Sequence, residues 1–208
     1  MFIKKSKSML LSLMLFGLPF AMHPQMSANQ QVSAPTPKQE TAYQDLLTDK
    51  DIASIETLLT TIKERLDHME HIAAYKWNNG KGILEIDNEQ QLLENIAQQA
   101  KEHGLDPDQA KAIFSKQLEA AQIVQINEFE RLVKAKSGDV ELKVDDPQAQ
   151  LAEINSRLFI QTKDALNALK KHSADKILQV KIEAIFENVD PEIAKTALAP
   201  FSEKTHIN

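Results

Sequence analysis

Apolar residues recur at steps of three and four from about residue 51 to Trp77, which predicts one long amphipathic helix. One stripe of this helix has strict heptad spacing and is enough to explain its packing: Ile52, Ile55, Leu59, Ile62, Leu66, Met69 and Ala73. A second stripe is apolar except for two cations: Leu58, Ile62, Arg65, Met69, Ile72 and Lys76. The two cations point in nearly the same direction, about 16 Å apart along the axis at roughly 1.5 Å per residue.

Two interpretations of these cations stay open at this point. Lysine and arginine often lay their stems along apolar surface and keep the charge in water, and spacing alone favours this interpretation for Arg65 and Lys76. The other interpretation starts from the heptad stripe, which packs the helix without any cation. Two cations on one face would then hold a dicarboxylate between them.

Five further helices are predicted after the Asn- and Gly-rich loop at 78–82. Their approximate ranges are 87–103, 107–136, 147–172, 174–186 and 191–198, and a short helical turn is expected at 43–47. Three of them begin at an Asp-Pro pair, in which Asp caps the free backbone amides and Pro loses nothing at the first helical position. The alternating segment 139–145 is treated as a loop, since a lone strand would have no partner. The predicted fold class is all-α, a helical bundle of about six helices.

Composition divides the chain into three parts. Three lysines precede an apolar run at 9–22 that is too short to span a bilayer comfortably, so residues 1–28 are predicted to be a secretory signal peptide. An uncleaved anchor is the less favoured alternative. Residues 29–41 are rich in Gln, Ser, Pro and Asn and are predicted to be a flexible linker. Residues 42–208 then form a single helical domain, located in the periplasm or secreted.

Charge and missing motifs exclude several function classes. The net charge of −6 argues against a nucleic-acid partner, and the absence of Cys excludes disulfides and thiolate chemistry. Neither a glycine-rich phosphate loop nor a Gly-x-Ser-x-Gly elbow is present. His68 and His71 have the spacing of metal ligands on a helix, but no third ligand is evident, so both are predicted to be solvent-exposed.

Polar residues also face inward in the third predicted helix. Gln125 shares one face with Phe114, Gln117, Ala121, Glu128 and Leu132, so its amide can donate a hydrogen bond inside the core. A buried glutamine is more often a packing and hydrogen-bonding device than a functional group. Glu85 and Glu89 lie four residues apart at the start of the second helix.

The chain resembles the all-helical chorismate mutases, which have the type II fold. The similarity lies in these segments: Arg65 to Lys76-Trp77, Gly82-Ile83 to Glu89, His103-Gly104-Leu105-Asp106-Pro107, Phe114, and Gln117 to Gln125. The predicted signal peptide and the extra C-terminal helices make the chain most similar to the secreted, gamma-class branch. The resemblance covers 58–132 well and the last third of the chain only weakly.

This resemblance implies that chorismate is converted to prephenate, a step of aromatic amino acid biosynthesis, by a Claisen rearrangement without acid, base, metal or cofactor. The site would bind a dianion in a compact conformation and stabilise the negative charge that develops on the breaking ether oxygen. Arg65, Lys76 and Gln125 are the implied catalytic residues. The implied substrate-binding residues are Arg65, Lys76, Glu85, Asn88, Glu89, Ala121, Gln125 and Gln148. A homodimer is implied as well.

Three positions depart from the family pattern. Asn88 and Gln148 stand where the family has arginine, and Ala121 stands where it has Ser or Thr. Fewer positive charges should weaken binding of a dianion. Arg157, nine residues beyond Gln148, would point away from it on an ideal helix. The alternatives are therefore a catalytically impaired domain that binds another small anion or a protein partner, and a structural helical bundle of the cell envelope.

Overall fold

The computed structural model describes residues 46–84, 86–136, 138–139, 141 and 146–202. It contains these helices: α1 (Asp49–Asn78), α2 (Ile86–Glu102), α3 (Pro107–Lys134), α4 (Pro147–Leu169), α5 (Ala174–Ile185) and α6 (Pro191–Ser202). In that part of the chain the β-structure is limited to one isolated bridge between Leu46 and His172. The all-α prediction is confirmed. The predicted signal peptide and linker lie outside the described residues.

The predicted Asp-Pro helix starts are all present. Asp106 and Asp146 accept hydrogen bonds from backbone N–H groups three residues on, at 2.8 and 2.9 Å, and Asp190 accepts one from Glu192 N at 2.8 Å. These bonds satisfy amides that lack an intrahelical partner. The three helices therefore begin where the sequence predicts.

Other boundaries differ from the predictions. α1 begins at Asp49, because Thr48 and Asp51 form a reciprocal capping box that the sequence reading missed. Leu46 and Leu47 are not helical, and the rest of the predicted turn at 43–47 lies outside the described residues. α4 ends at Leu169, three residues before the predicted end, and Ser173, whose φ of 68° is left-handed, separates it from α5. α6 continues to Ser202 past Pro200.

α1 packs mainly against α4 and α3, and α3 also contacts α2 and α6. The heptad stripe of α1 is buried as predicted, except that Ile52 is only half-buried. Near the end of α3, Leu132 is buried whereas Val133 is 61% exposed. Neighbouring positions on a helix differ by about 100°, so only one of these two residues faces the core.

Three ion pairs connect the outer face of α1 to the segments packed against it. They are Asp51 with Lys171 at 2.7 Å, Glu56 with Lys181 at 2.6 Å, and Glu64 with Arg157 at 2.6 Å. The charges of these pairs lie at the surface or are only partly buried. The side of α1 that carries the apolar stripe and Arg65 faces the interior. Within the described residues, no helix is both long enough and apolar enough to cross a bilayer.

Candidate functional site

A cavity of about 240 Å³ lies between α1, α2, α3 and the first turns of α4. Six of the eight predicted site residues line it: Arg65, Lys76, Glu89, Ala121, Gln125 and Gln148. Apolar side chains complete the wall, among them Met69, Ile72 and Leu118. Glu85 lies outside the described residues, as does the side chain of Asn88. Residues far apart in sequence are therefore brought to one place, while their roles stay predictions.

Arg65 is held inside the protein by neutral oxygens. Its side chain is only 3% exposed, its Nε donates to Asn155 Oδ1 at 2.9 Å, and its Nη1 donates to the backbone oxygen of Gln117 at 2.8 Å. Burial lowers the Arg65 pKa to about 10, so the group remains a cation at neutral pH. Among the described residues, no carboxylate pairs with it. The interpretation in which this charge stays in water is therefore wrong.

Lys76 lies about three turns further along the same face of α1. Its side chain is half-buried, and Nζ donates to the backbone oxygen of Ile83 at 2.9 Å. Ile83 belongs to the connection between α1 and α2 and also lines the cavity. This bond holds the ammonium at the cavity wall instead of leaving it extended into solvent.

Gln125 presents its amide to the same cavity from α3. Its Nε2 donates to Ala121 O at 3.3 Å and approaches Met69 Sδ at 3.7 Å, which is a weak acceptor. The buried Oε1 has no hydrogen-bond partner among the residues that the structure describes. The hydrogen bonds of this buried amide are weak or missing. Binding of a ligand that offers it a better hydrogen-bond partner is therefore favourable.

Glu89 enters the cavity from α2 and is bonded to a residue that sequence reasoning missed. Gln122 on α3 donates from Nε2 to Glu89 Oε1 at 2.7 Å, and both residues line the cavity. Helical spacing could have identified Gln122, because it lies three residues before Gln125 and four after Leu118, on one face of α3.

Gln148 and Asn155 show which face of α4 is turned toward the cavity and Arg65. Gln148 lines the cavity, and Asn155, seven residues later on the same face, bonds to Arg65. Sequence reasoning also missed Asn155. It could have been identified because it lies seven residues, or two helical turns, after Gln148 and thus on the same face. Arg157 points elsewhere and pairs with Glu64, whose hydrogen bond raises the Arg157 pKa.

The prediction that His68 is solvent-exposed is wrong. Its side chain is 6% exposed, and its Nε2 lies 2.7 Å from the backbone oxygen of Pro147, at the start of α4. His68 follows Arg65 by three residues and therefore shares the face of α1 that packs against α4. His71 is half-buried and contacts the His68 ring edge-on. The described residues contain no group of three side chains suited to hold a metal ion.

A second and larger cavity, of about 330 Å³, has the opposite chemistry. Its wall carries Asp67, Glu70, Glu128 and Asp190, with Arg131 as the cation. Four carboxylates would repel a dianion, so size alone does not identify the site. The smaller cavity is the better candidate because buried cationic and amide donors face it.

Residues 51–126 match the family described as chorismate mutase type II. That segment is 76 of the chain's 208 residues, and it is similar to this family. It contains nearly all of α1, all of α2 and most of α3, and thus five of the six predicted site residues that line the cavity; the sixth, Gln148 on α4, lies beyond it. The chorismate mutase match therefore covers the helices that carry Arg65, Lys76 and Gln125.

Two curated chorismate mutases are related in sequence. The secreted chorismate mutase of Yersinia pestis is 26% identical over 110 residues, which are 52% of this chain and 59% of that protein. The secreted chorismate mutase of Mycolicibacterium smegmatis is 28% identical over 82 residues, which are 39% of this chain and 45% of that protein. The chain spans about half the length of these curated relatives.

Solved chorismate mutase structures share the fold. The enzyme from Burkholderia thailandensis superimposes with a TM-score of 0.63 at 21% identity, covering 71% of this chain and 98% of that chain. The enzyme from Burkholderia phymatum gives a TM-score of 0.62 at 22% identity, covering 74% and 99%. The prediction of a chorismate mutase type II-like helical bundle is confirmed.

Proposed function

We propose that this chain is a chorismate mutase, which converts chorismate to prephenate. The observation that carries the proposal is Arg65, a buried guanidinium that is oriented by neutral oxygens and has no carboxylate partner among the described residues. A buried charge without a counter-ion is unfavourable, so an entering carboxylate relieves part of that cost. Chorismate carries two carboxylates.

The reaction requires placement and electrostatics, not proton transfer. One carbon–carbon bond forms as the ether carbon–oxygen bond breaks, and negative charge develops on the ether oxygen. In our proposal, the N–H groups of Arg65 that Asn155 and Gln117 leave unused pair with a substrate carboxylate. Lys76 and Gln125 donate to the ether oxygen, where donors fixed in advance lower the barrier most.

The remaining residues would set the orientation of the substrate. Glu89 is proposed to accept the ring hydroxyl, a role that the family resemblance implies for Glu85 as well. Gln148 and Asn88 would replace two arginines by neutral donors, and Ala121 would provide space without a hydroxyl. Neutral donors attract a dianion less strongly than guanidinium groups do, so we expect a mutase with weak substrate affinity.

The proposal is tested by following chorismate loss and prephenate formation with purified residues 29–208. Wild type should be active, and Lys76→Ala should lower kcat/KM by about a hundredfold or more, since removing one donor to a developing oxyanion has that effect. Lys63→Ala is the matched control, because Lys63 pairs with Asp67 on the same helix outside this cavity. Equal activity in wild type and Lys76→Ala would refute the assigned role of Lys76.

A second candidate is a helical domain that binds another small anion without catalysis. It is favoured by the charge of the cavity, where the described lining carries two cations and one carboxylate, and where Gln148 replaces an arginine. Under this alternative the wild type would leave chorismate unchanged, while small dicarboxylates would still raise the melting temperature.

We also propose that the protein is exported and dimeric. Export is supported by the N-terminal lysines and apolar run and by relatives that are secreted. Expression of the full chain followed by fractionation and mass measurement of the mature protein tests it, with cleavage after Ala28 as the expected result. Light scattering tests the homodimer.

A further inference from the structure

Gln122 and Glu89 form a pair that connects two walls of the cavity. The Gln122 amide on α3 donates to Glu89 Oε1 on α2 at 2.7 Å, and both side chains are half-buried. A carboxylate on a helix has several rotamers, and this bond selects one of them. The donor is neutral, so the bond fixes the direction of the carboxylate without neutralising it.

The bond leaves Glu89 able to bind a ligand. It occupies one carboxylate oxygen, and no other hydrogen bond or ion pair to Glu89 is found among the described residues. An ionised carboxylate only accepts hydrogen bonds, so Oε2 attracts a hydroxyl donor and repels a carboxylate. Arg65 and Lys76, both from α1, have the opposite preference. The cavity therefore distinguishes the hydroxyl of a ligand from its carboxylates.

We propose that Gln122 is a positioning residue that makes the cavity specific for a ligand with a ring hydroxyl. It acts through Glu89, whose carboxylate it holds toward the position of that hydroxyl. The inference rests on the proposed function, in which the hydroxyl is the one on chorismate. A site built to bond a hydroxyl discriminates strongly against an analogue that lacks it, because the acceptor is then left unpaired.

The test compares two substrates: chorismate and its analogue with hydrogen in place of the ring hydroxyl. Gln122→Leu keeps the size of the side chain and removes the donor, and Gln122→Met is a second variant in case the first does not fold. The ratio of kcat/KM for chorismate to that for the analogue should fall about tenfold in either variant. The kcat/KM for the analogue itself should change little.

A double-mutant cycle shows whether Gln122 acts through Glu89. Glu89→Leu removes the acceptor and should lose the preference for the hydroxyl, and adding Gln122→Leu should lower it no further. Gln91→Leu is the control, because Gln91 is exposed on α2 and bonds to Asn95 outside the cavity. This control should leave the ratio unchanged.

The outcomes separate this inference from the proposed function. If wild type prefers chorismate and the Gln122 variants keep the same ratio, or slow both substrates equally, Gln122 does not determine specificity while the mutase function stands. If wild type neither converts chorismate nor binds it by calorimetry, the proposed function fails and the inference fails with it.

Discussion

At the scale of single residues, Arg65 is the residue on which the proposed function depends most. Two neutral oxygens orient its guanidinium but do not neutralise it, and burial lowers its pKa to about 10. A cation in this state is ready to bind an anion and is unfavourable without one. Gln125 shows the same pattern in an amide, because its buried Oε1 is unpaired within the described part of the chain. In our proposal both residues contribute to substrate binding, and their burial has some cost to folding.

Replacing Arg65 should separate stability from activity. Arg65→Met removes two hydrogen bonds but also a buried charge, so we expect the free energy of unfolding to change by no more than about 1 kcal/mol. The kcat/KM for chorismate should fall at least about a hundredfold. Urea unfolding and steady-state kinetics measure the two effects.

Ile62→Ala is the matched control for this experiment. Ile62 is fully buried one turn earlier on α1, and its truncation should cost about 2–4 kcal/mol of stability. If Arg65→Met is destabilised as much as Ile62→Ala, Arg65 has a structural role and the assigned binding role is in doubt.

Restoring a cation at the cavity should strengthen substrate binding. Gln148→Arg places a guanidinium at a position that lines the cavity, so KM for chorismate should fall several-fold to about tenfold at low salt. Gln150→Arg, two residues on and exposed outside the cavity, adds the same charge as a control. Similar KM changes in both variants would indicate a general charge effect instead of a local contact.

At the scale of helices, α1 carries both the core and the cations, and its N-terminal turn is fixed by Asp51. Hydrogen bonds from Lys171 and Thr48 lower the Asp51 pKa from 3.8 to about 2. The folded-state pKa is depressed, so the stabilisation is fully present above pH 4. It is lost as pH falls from about 4 to about 2.

Asp51→Asn should therefore lower the free energy of unfolding at pH 7 by about 1–2 kcal/mol, by weakening the capping box and the ion pair. The difference from wild type should shrink as pH falls from about 4 to about 2. Asp49→Asn removes a charge from the same turn and should change stability much less. A pH-independent effect of Asp51→Asn would contradict the assigned cause of the pKa shift.

Local chemistry made most helices predictable, and contacts between helices account for the rest. Asp-Pro pairs mark their helix starts by themselves, and the stripe of Leu58, Ile62 and Arg65 follows from periodicity. His68 was misjudged because its burial depends on the first turn of α4, which sequence does not place against α1. Gln122 was missed because its partner, Glu89, lies on another helix.

At the scale of the whole molecule, the candidate site is cationic within an acidic protein. The chain carries a net charge of −6, and the larger cavity is lined by four carboxylates. Attraction of a dianion must therefore come from the short-range field of Arg65 and Lys76. The last third of the chain, where sequence resemblance is weak, contributes contacts to the candidate site and to the residues behind it. From α4, Gln148 lines the cavity and Asn155 accepts a hydrogen bond from Arg65. From α6, the backbone oxygen of Ala197 accepts a hydrogen bond from Gln117 at 2.7 Å.

The central claim is that this cavity is built for a compact dianion resembling the transition state. The most direct test is calorimetric binding of a stable bicyclic dicarboxylate ether that mimics that conformation, beside an open-chain dicarboxylate. We predict that the mimic binds wild type at least about a hundredfold more tightly than the open-chain compound. That preference should disappear in Arg65→Met. Equal affinity for the two compounds, or tight binding of the mimic by Arg65→Met, would contradict the account.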